Sequence, residues 1–530
     1  MATETELKLR FLSPQDAAKF LEHPLLAKAD AGEIEQLTGT YYDTPDRELL
    51  QAGVGLRVRR EHGRLIQTVK SAGTGSSSLH KRKEWEVEIE EGKLPDFNRL
   101  PQDLREENFS DTELLQRIGP CFTTDFQRTK WKLPLKELQL AEAGYVEVCL
   151  DQGEVRNEQG TVPIHEVELE LKGNDDSGTL YEIALALQRT LPLVIENASK
   201  AQRGYELANP TTTLKMAEVP QIEWVVTTDD IELPSHYAFR ALMENCYARI
   251  ETNATAVSQS NDPEDVHQMY LGIRWMRSCL ALFKVRIPEF NLSTPLIPIN
   301  SEIRTELGWI GGIVRHARGW DEFAKTLDTI IEETETADIL KPLRPEIDRI
   351  REEHHQTLRK ALSSVRYSRL LLGIGAWLRW ENWYDPLDSA AKEFLNYGIT
   401  SSASVILQLQ HDRMHKAAEG VYYLPPREQL QRIRIEAEKL TDGADFFQNL
   451  YSKKPERSYL YMNSLSIFQD KLDIINDEMA FRTLQDQIGL GPDTSARHFL
   501  KGWYKGRAMH GLKTVGSALG DFSLRKKFWK

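Results

Sequence analysis

The sequence predicts an α+β multidomain chain, a β-rich first half followed by an all-α second half, and three observations predict it. Up to about Tyr205, apolar and polar residues alternate in short runs such as "ELKLR", "LRVRR", "EWEVEIE", "YVEVCLD" and "HEVELELK", the period of half-buried strands. Beyond Asn209 the period is helical, as in "YAFRALMENCYARIETNATAV" and "LRKALSSVRYSRLLLGIGAWLRW". Between the two lies "PTTTLKMAEVPQ", rich in Thr and Pro and without apolar periodicity, which is linker composition.

Taken in order, the strands carry their charges in blocks of one sign. In "ETELKLR" (4–10), Glu4, Glu6, Lys8 and Arg10 share one face, and Leu7 and Leu9 the other. Arg57 and Arg59 lie opposite Leu56 and Val58. Lys70 shares a face with Thr68, and Glu84, Glu86, Glu88 and Glu90 oppose Trp85, Val87 and Ile89. Arg128 pairs with Lys130, and Glu166, Glu168 and Glu170 oppose Val167, Leu169 and Leu171. The turn-like "DTPD" and the Gly/Ser-rich "SAGTGSSS" separate strands; the latter lacks the Lys-Ser/Thr of a phosphate loop and reads as a mobile connection. A helix is predicted over about Thr179 to Thr190.

A merely wet face would mix Thr, Ser, Gln and Lys. Two like charges about 4 Å apart repel by roughly 4 kcal/mol at an effective dielectric near 20. Acidic strands facing a common interior therefore need cations, and basic strands need an anion. Carboxylate oxygens suit Mg²⁺ or Mn²⁺, and a chain of phosphates suits Arg and Lys. The layout is that of a triphosphate-hydrolysing tunnel.

Composition narrows the class further. The chain has 530 residues, 40% hydrophobic and 28% charged, with a net charge of −13, which suits two domains and argues against nucleic-acid binding. Cys121, Cys149, Cys246 and Cys279 show no C-x-x-C spacing and read as buried thiols. No leader-like start and no apolar run of spanning length occurs, so a cytoplasmic location without membrane contact is expected.

The residues also carry a resemblance. "ETELKLR" fits the E-x-E-x-K signature of the CYTH, or triphosphate tunnel metalloenzyme, superfamily. It is followed in family order by "YYDTPD", "GLRVRRE", "TVK", "LHKRKEWEV", "TDFQRTKW", "LDQGEV", "EVELEL" and "SKAQRGY". The resemblance implies an eight-stranded antiparallel barrel forming a tunnel and Mg²⁺- or Mn²⁺-dependent hydrolysis of triphosphates. With an all-α second half, the chain looks most like bacterial inorganic triphosphatases that join CYTH to CHAD. On this basis Glu4, Glu6, Asp151, Glu166, Glu168 and Glu170 are the expected metal ligands. Lys8, Arg57, Arg59, Lys70, Arg82, Arg128, Lys200 and Arg203 are the expected phosphate contacts, and Glu4, Glu6 and Lys8 the catalytic set. The expected domains are 1–205, a linker 206–228 and 229–530. An organic triphosphatase or adenylyl cyclase using the same tunnel, or a non-catalytic polyphosphate-binding scaffold, are the alternatives.

The second half resembles CHAD, a helical domain associated with polyphosphate, through "VHQMYLGIRWMRSCLALF", "VRHARGWD" and "RIRIEAEKL". The resemblance makes His267, Arg274, Arg277, Arg315, His316, Arg318, Arg432, Arg434 and Lys439 candidate polyphosphate contacts, while Tyr270, Trp275, Glu438 and Thr441 interrupt the basic rows. Segments 266–283 and 430–447 look like copies of one another, as in a duplicated bundle. "HDRMH" reads as a surface His pair, the tail "SLRKKFWK" as a solvated end, and Trp309, Trp320, Trp377, Trp380 and Trp383 as core.

Overall fold

The computed structural model describes residues 2–71, 79–90, 95–208, 233–284, 297, 301–420, 425–491 and 493–530; most of "SAGTGSSS" and the linker from 209 lie outside them. The alternating runs form strands β1 (Ala2–Phe11), β2 (Glu33–Asp43), β3 (Val54–Glu61), β4 (Arg64–Ser71) and β5 (Leu79–Ile89). After these come β6 (Gly119–Pro134), β7 (Tyr145–Asn157), β8 (Gly160–Lys172) and β9 (Leu193–Ile195). Among the described residues they make one antiparallel sheet in the order β5-β4-β3-β2-β6-β7-β8-β1-β9, and β5 also pairs with β1. That last pairing returns the sheet on itself through eight strands. The ninth, three residues long, adds to β1 beyond the expected eight.

The β3–β4 connection is a two-residue hairpin, because Glu61 faces Arg64. Its central residues, His62 and Gly63, both have positive φ (47° and 79°), the twist that a tight hairpin turn requires and that glycine adopts without strain.

The uncharged faces point away from the charged ones and are covered by helices. Phe20, from α1 (Gln15–Leu21), packs edge-on against Phe11 of β1 and Trp131 of β6. Leu56, Val58, Val69 and Ile89 are buried with Leu100, Phe109 and Leu104, the last on α3 (Gln102–Asn108), which follows the short α2 (Glu48–Gln51). After α4 (Thr112–Arg117) come α5 (Gly178–Gln188), where a helix was expected, and α6 (Lys200–Ala208).

The second half is helical: α7 (Ser235–Gln259), α8 (Pro263–Leu282), α9 (Ser301–Glu333), α10 (Ala337–Leu340), α11 (Arg344–Leu362) and α12 (Val365–Trp377). It continues with α13 (Trp380–Trp383), α14 (Ser389–Asn396), α15 (Ile399–Ala417), α16 (Arg427–Phe447), α17 (Pro455–Gln487) and α18 (Ser495–Ser523). The chain divides into two compact units, and the division does not follow the halves. Leu362–Arg379, which includes α12, belongs with the sheet. There α12 lies on α5 and β9, so close that a Cβ on Gly375 would fall 2.6 Å from the Tyr181 ring.

In the helical unit the two suspected copies lie in α8 and α16 and meet. Ser278 donates to Asp442 (2.6 Å) and Arg274 pairs with Glu438 (3.5 Å), both at the 164-residue separation that relates the copies. Equivalent positions of the two segments are thus in contact. Trp320 and Trp383 are fully buried, as expected for core. Two expectations fail. His411 is buried and shares a hydrogen bond of 2.9 Å with the Tyr461 hydroxyl, and the tail is docked, with Phe528 and Trp529 packed edge-on against Tyr461. Aromatic packing outweighs the polar neighbours in both places.

One turn from Asp442 on α16, burial and the Asp442 carboxylate push the Asp445 carboxyl up to about 7. An acid whose folded pKa exceeds its unfolded value contributes stability below the unfolded value that is lost as pH rises through the folded one, here from about 4 to about 7. Asp445→Asn should therefore raise Tm by a few degrees at pH 8, roughly 1–2 kcal/mol after allowance for partial exposure, and by less at pH 5. Thermal melts at the two pH values measure the difference.

Candidate active site

Cross-strand register decides which charges meet, since directly opposed residues in an antiparallel pair project from the same face. Three rows run across the sheet. Glu6 opposes Glu170, which opposes Glu147; Lys8 opposes Glu168, then Cys149 and Lys130; Arg10 opposes Glu166, then Asp151, Arg128 and Glu35. The expected acidic strands are neighbours, β1 beside β8 beside β7.

At their centre Asp151 and Glu166 are 0% exposed and Glu168 9%. Lys200, the first residue of α6, places its ammonium among all three, 2.6 Å from Asp151 Oδ2, 2.9 Å from Glu168 Oε1 and bonded also to Glu166. Arg128 grips Asp151 through Nε (2.7 Å) and Nη2 (2.6 Å) and also reaches Glu168. Arg203 pairs with Glu166, and Lys8 with Glu6 (3.0 Å) and Glu168 (3.4 Å). Burial by itself would raise the Glu168 carboxyl, but Lys200, Lys8 and Arg128 hold it well below the usual carboxylate range. Burial by itself would lower the Lys200 ammonium, but Asp151, Glu166 and Glu168 raise it.

The opposite balance holds on β2, β3 and β4. Arg57 donates to Thr68 (3.3 Å) and lies 3.9 and 3.8 Å from Glu84 and Glu86, while Lys70 is 3.1 Å from Glu84. Arg59 is paired with Glu61. Burial would raise the Tyr41 phenol, but Arg57, Lys70 and Lys200 bring it below its ordinary value; Arg59 is lowered by burial and by Arg57. The Tyr41 shift reflects the cations gathered here, while, against burial, Glu84 and Glu86 raise the Arg57 guanidinium above its ordinary value. Glu170 shares the inward face and is bonded to Lys172. Glu4 and Arg82 oppose one another in β1 and β5, and their side chains lie outside the described residues.

Asp151, Glu166 and Glu168 offer carboxylate oxygens within 4.8 Å of one another. A buried, all-oxygen donor set of that size fits a hard divalent cation and not a zinc site. A second group, Glu35, Glu61 and His62 beside the hairpin turn, includes an imidazole, and its two carboxylates are partly buried while His62 is exposed.

Other motif residues build the frame. Asp43 is buried and accepts from the backbone N–H groups of Thr44, Leu49 and Leu50 and from the Tyr205 hydroxyl (2.9 Å). A Cβ on Gly204 would lie 2.2 Å from the Phe122 ring, so only glycine lets α6 sit where Lys200 reaches the carboxylates. Sequence reasoning gave no role to Tyr41, Thr68 or Glu86, which face Arg57 only by register. It also missed Glu196, whose backbone N–H donates to the Lys8 carbonyl and whose carboxylate pairs with Arg10.

In the helical unit several of the candidate cations are paired with carboxylates. Arg274 is bound to Asp442 (2.8 Å) and Glu438, Arg434 to Asp473 (2.7 Å), Lys439 to Glu436 (2.7 Å) and Arg318 to Glu322. His267 is half-buried and lowered from its ordinary value by burial and then by Arg318. Arg277, Arg315, His316 and Arg432 are exposed. No described helix is long and apolar enough to cross a membrane.

Comparison with known proteins matches each half of the chain to a different domain model. The CYTH domain model matches residues 2–205 and the CHAD domain model residues 241–485. An inorganic triphosphatase of Haemophilus influenzae is 35% identical over 211 residues, which is 39% of this chain and 56% of that protein, so the match spans only about half of the relative. The crystal structure of a CHAD domain from Ricinus communis aligns over 58% of this chain and 98% of its own, at 23% identity and a TM-score of 0.47. A putative adenylyl cyclase from Hippeastrum, described as having a dominant triphosphatase activity, aligns over 40% and 98%, at 18% identity and a TM-score of 0.30. The chain thus carries a CYTH domain followed by a CHAD domain.

Proposed function

We propose that the tunnel hydrolyses inorganic triphosphate to diphosphate and phosphate. One observation carries the reading: three buried carboxylates converge on one face of the sheet that also bears the positive wall of Arg57, Arg59 and Lys70. Such a face accepts a polyanion along one wall and a cation against the other. Glu6, Asp151, Glu166 and Glu168, with Glu4 and Glu170, would hold Mg²⁺ or Mn²⁺, which when bound polarises phosphoryl oxygens and spreads the charge that develops on them. Arg57, Arg59, Lys70 and Arg82 bind the phosphate chain. Lys8, beside Glu6 and Glu168, contacts the phosphoryl group under attack, with Arg128, Lys200 and Arg203 at the acidic end. Water attacks a terminal phosphorus, the bridging P–O bond breaks with diphosphate leaving, and a Glu6 carboxylate oxygen takes the proton of the water.

For the helical unit, polyphosphate is the ligand its CHAD match suggests, and Arg277, Arg315, His316 and Arg432 are the contacts best placed to meet it. With Arg274, Arg318, Arg434 and Lys439 held by carboxylates, binding is expected to be weak and to have a shallow salt dependence.

Phosphate release from inorganic triphosphate, ATP and thiamine triphosphate, measured side by side with Mg²⁺ or Mn²⁺, tests the substrate. Inorganic triphosphate should be turned over fastest; equal rates on all three would reject the choice. Glu6→Ala should lower kcat on the order of 100-fold or more with Tm little changed, and a fully active variant would favour the scaffold reading.

Lys200→Met should leave three buried carboxylates short of a cation, at a cost of about 3 kcal/mol in chelator. Millimolar Mn²⁺ should then raise its Tm more than that of the unaltered chain, which differential scanning calorimetry measures.

A further inference from the structure

The short strand β9 has one edge on β1 and another that, among the described residues, no strand covers, and side chains satisfy that second edge. The Ile195 N–H donates to Ser368 Oγ (2.9 Å) on α12, and Gln188 Nε2 of α5 donates both to the Leu193 carbonyl (2.7 Å) and to Ser368 Oγ (3.0 Å). Ser368 and Gln188 are buried, at 3% and 2% exposure. An unpaired edge N–H and C=O in such a place would be costly, so Ser368 and Gln188 together hold the outer edge of β9.

The position of β9 bears on the acidic centre along two routes. Directly, Leu9 faces Ile195, and the next N–H, that of Glu196, donates to the carbonyl of Lys8 (2.9 Å), whose ammonium is bonded to Glu6 and Glu168. Less directly, the Glu196 carboxylate pairs with Arg10 (3.2 Å), which lies directly opposite Glu166 across β1 and β8. We propose that Ser368 is a positioning residue for the tunnel's acidic centre, acting through β9 on Lys8 and Glu166, although it lies in sequence within the CHAD match. The inference rests on the reading of that centre as a metal site.

A different role for α12 is simple cover for apolar surface, supplied by Leu370, Leu371, Leu372 and Ile374. The two roles separate by substitution in the full chain. Ser368→Ala removes the hydroxyl and leaves the apolar cover; Leu371→Ala thins the cover and leaves the hydroxyl. Mn²⁺ titration by calorimetry, without substrate, reads the centre independently of turnover, and Tm reads the fold.

Ser368→Ala is expected to weaken Mn²⁺ binding about fivefold, less than the tenfold or more typical of a partner that touches a ligand directly, with Tm lowered by a few degrees for the Ile195 N–H left unpaired. Leu371→Ala is expected to lower Tm and leave Mn²⁺ affinity alone. Gln188→Met, which keeps the volume and removes the amide donor, should repeat the Ser368→Ala result and serves if that variant folds poorly. Unchanged Mn²⁺ affinity in both Ser368→Ala and Gln188→Met, or an equal loss in Leu371→Ala, overturns the inference. Absence of Mn²⁺ binding by the unaltered chain would instead remove the metal-site reading, and this inference with it.

Discussion

The rest of the tunnel unit is arranged around the neutralisation of Asp151, Glu166 and Glu168 by Lys200. Carboxylates this close and this far from water repel by several kcal/mol at any realistic dielectric, and each carries its own desolvation cost. Lys200 answers all three at once because it opens α6, and the docking of α6 is determined elsewhere, by Gly204 against Phe122 and by Tyr205 on Asp43. A cation at a helix N-terminus is ordinarily disfavoured by the helix dipole. Here the three carboxylates outweigh that dipole and are themselves favoured by it, so helix and acidic wall stabilise each other.

A charged interior turns the usual sheet inside out. The inward face carries Glu6, Lys8, Arg57, Arg128 and Glu168, so the apolar face, with Leu7, Leu9, Leu56, Val58 and Leu169, points outward and must be covered on every side. Helices α1, α3 and α5 cover part of it, and α12 is drawn from far along the chain for another part. Gly375 lets α12 come within contact of Tyr181, and Arg379 at its end is held by Asp176 (2.5 Å), Glu182 (3.2 Å) and the Leu140 carbonyl (2.9 Å). The partition of the chain follows from this need for cover.

That need explains what could be read in advance and what could not. Period-two alternation reveals strands and their charged faces because each side chain's direction depends only on its neighbours. Glu6, Arg57, Arg128 and Glu168 were legible for that reason, as was the helix near Thr179. Register was not, because it depends on how far apart the strand ends lie, and Tyr41, Thr68 and Glu86 acquire their neighbours only through it. The role of α12 was equally hidden. Its apolar pattern matches any bundle helix, and nothing local distinguishes a face that packs on a sheet from one that packs on another helix. His411 and Trp529 were misread for the related reason that a polar or terminal residue is judged by its sequence neighbours until a distant aromatic cluster closes over it.

In the helical unit the contact between α8 and α16 decides where charge can survive. Equivalent positions of the two segments face one another there, so a cation retained in both would meet its counterpart. At this crossing one copy keeps Arg274 while the other has Glu438, and Ser278 in one faces Asp442 in the other. Two aspartates there would have shared one buried place; with Ser278 donating and Arg274 adjacent, the single Asp442 carboxyl is still pushed up to about 6 by burial. The interruption of the basic row by Glu438 therefore supplies the partner that Arg274 needs at this contact. It also turns Arg274 inward, so the positive charge that a polyanion would meet shifts to residues away from the crossing, such as Arg277 and Arg432, where exposure and screening weaken each contact.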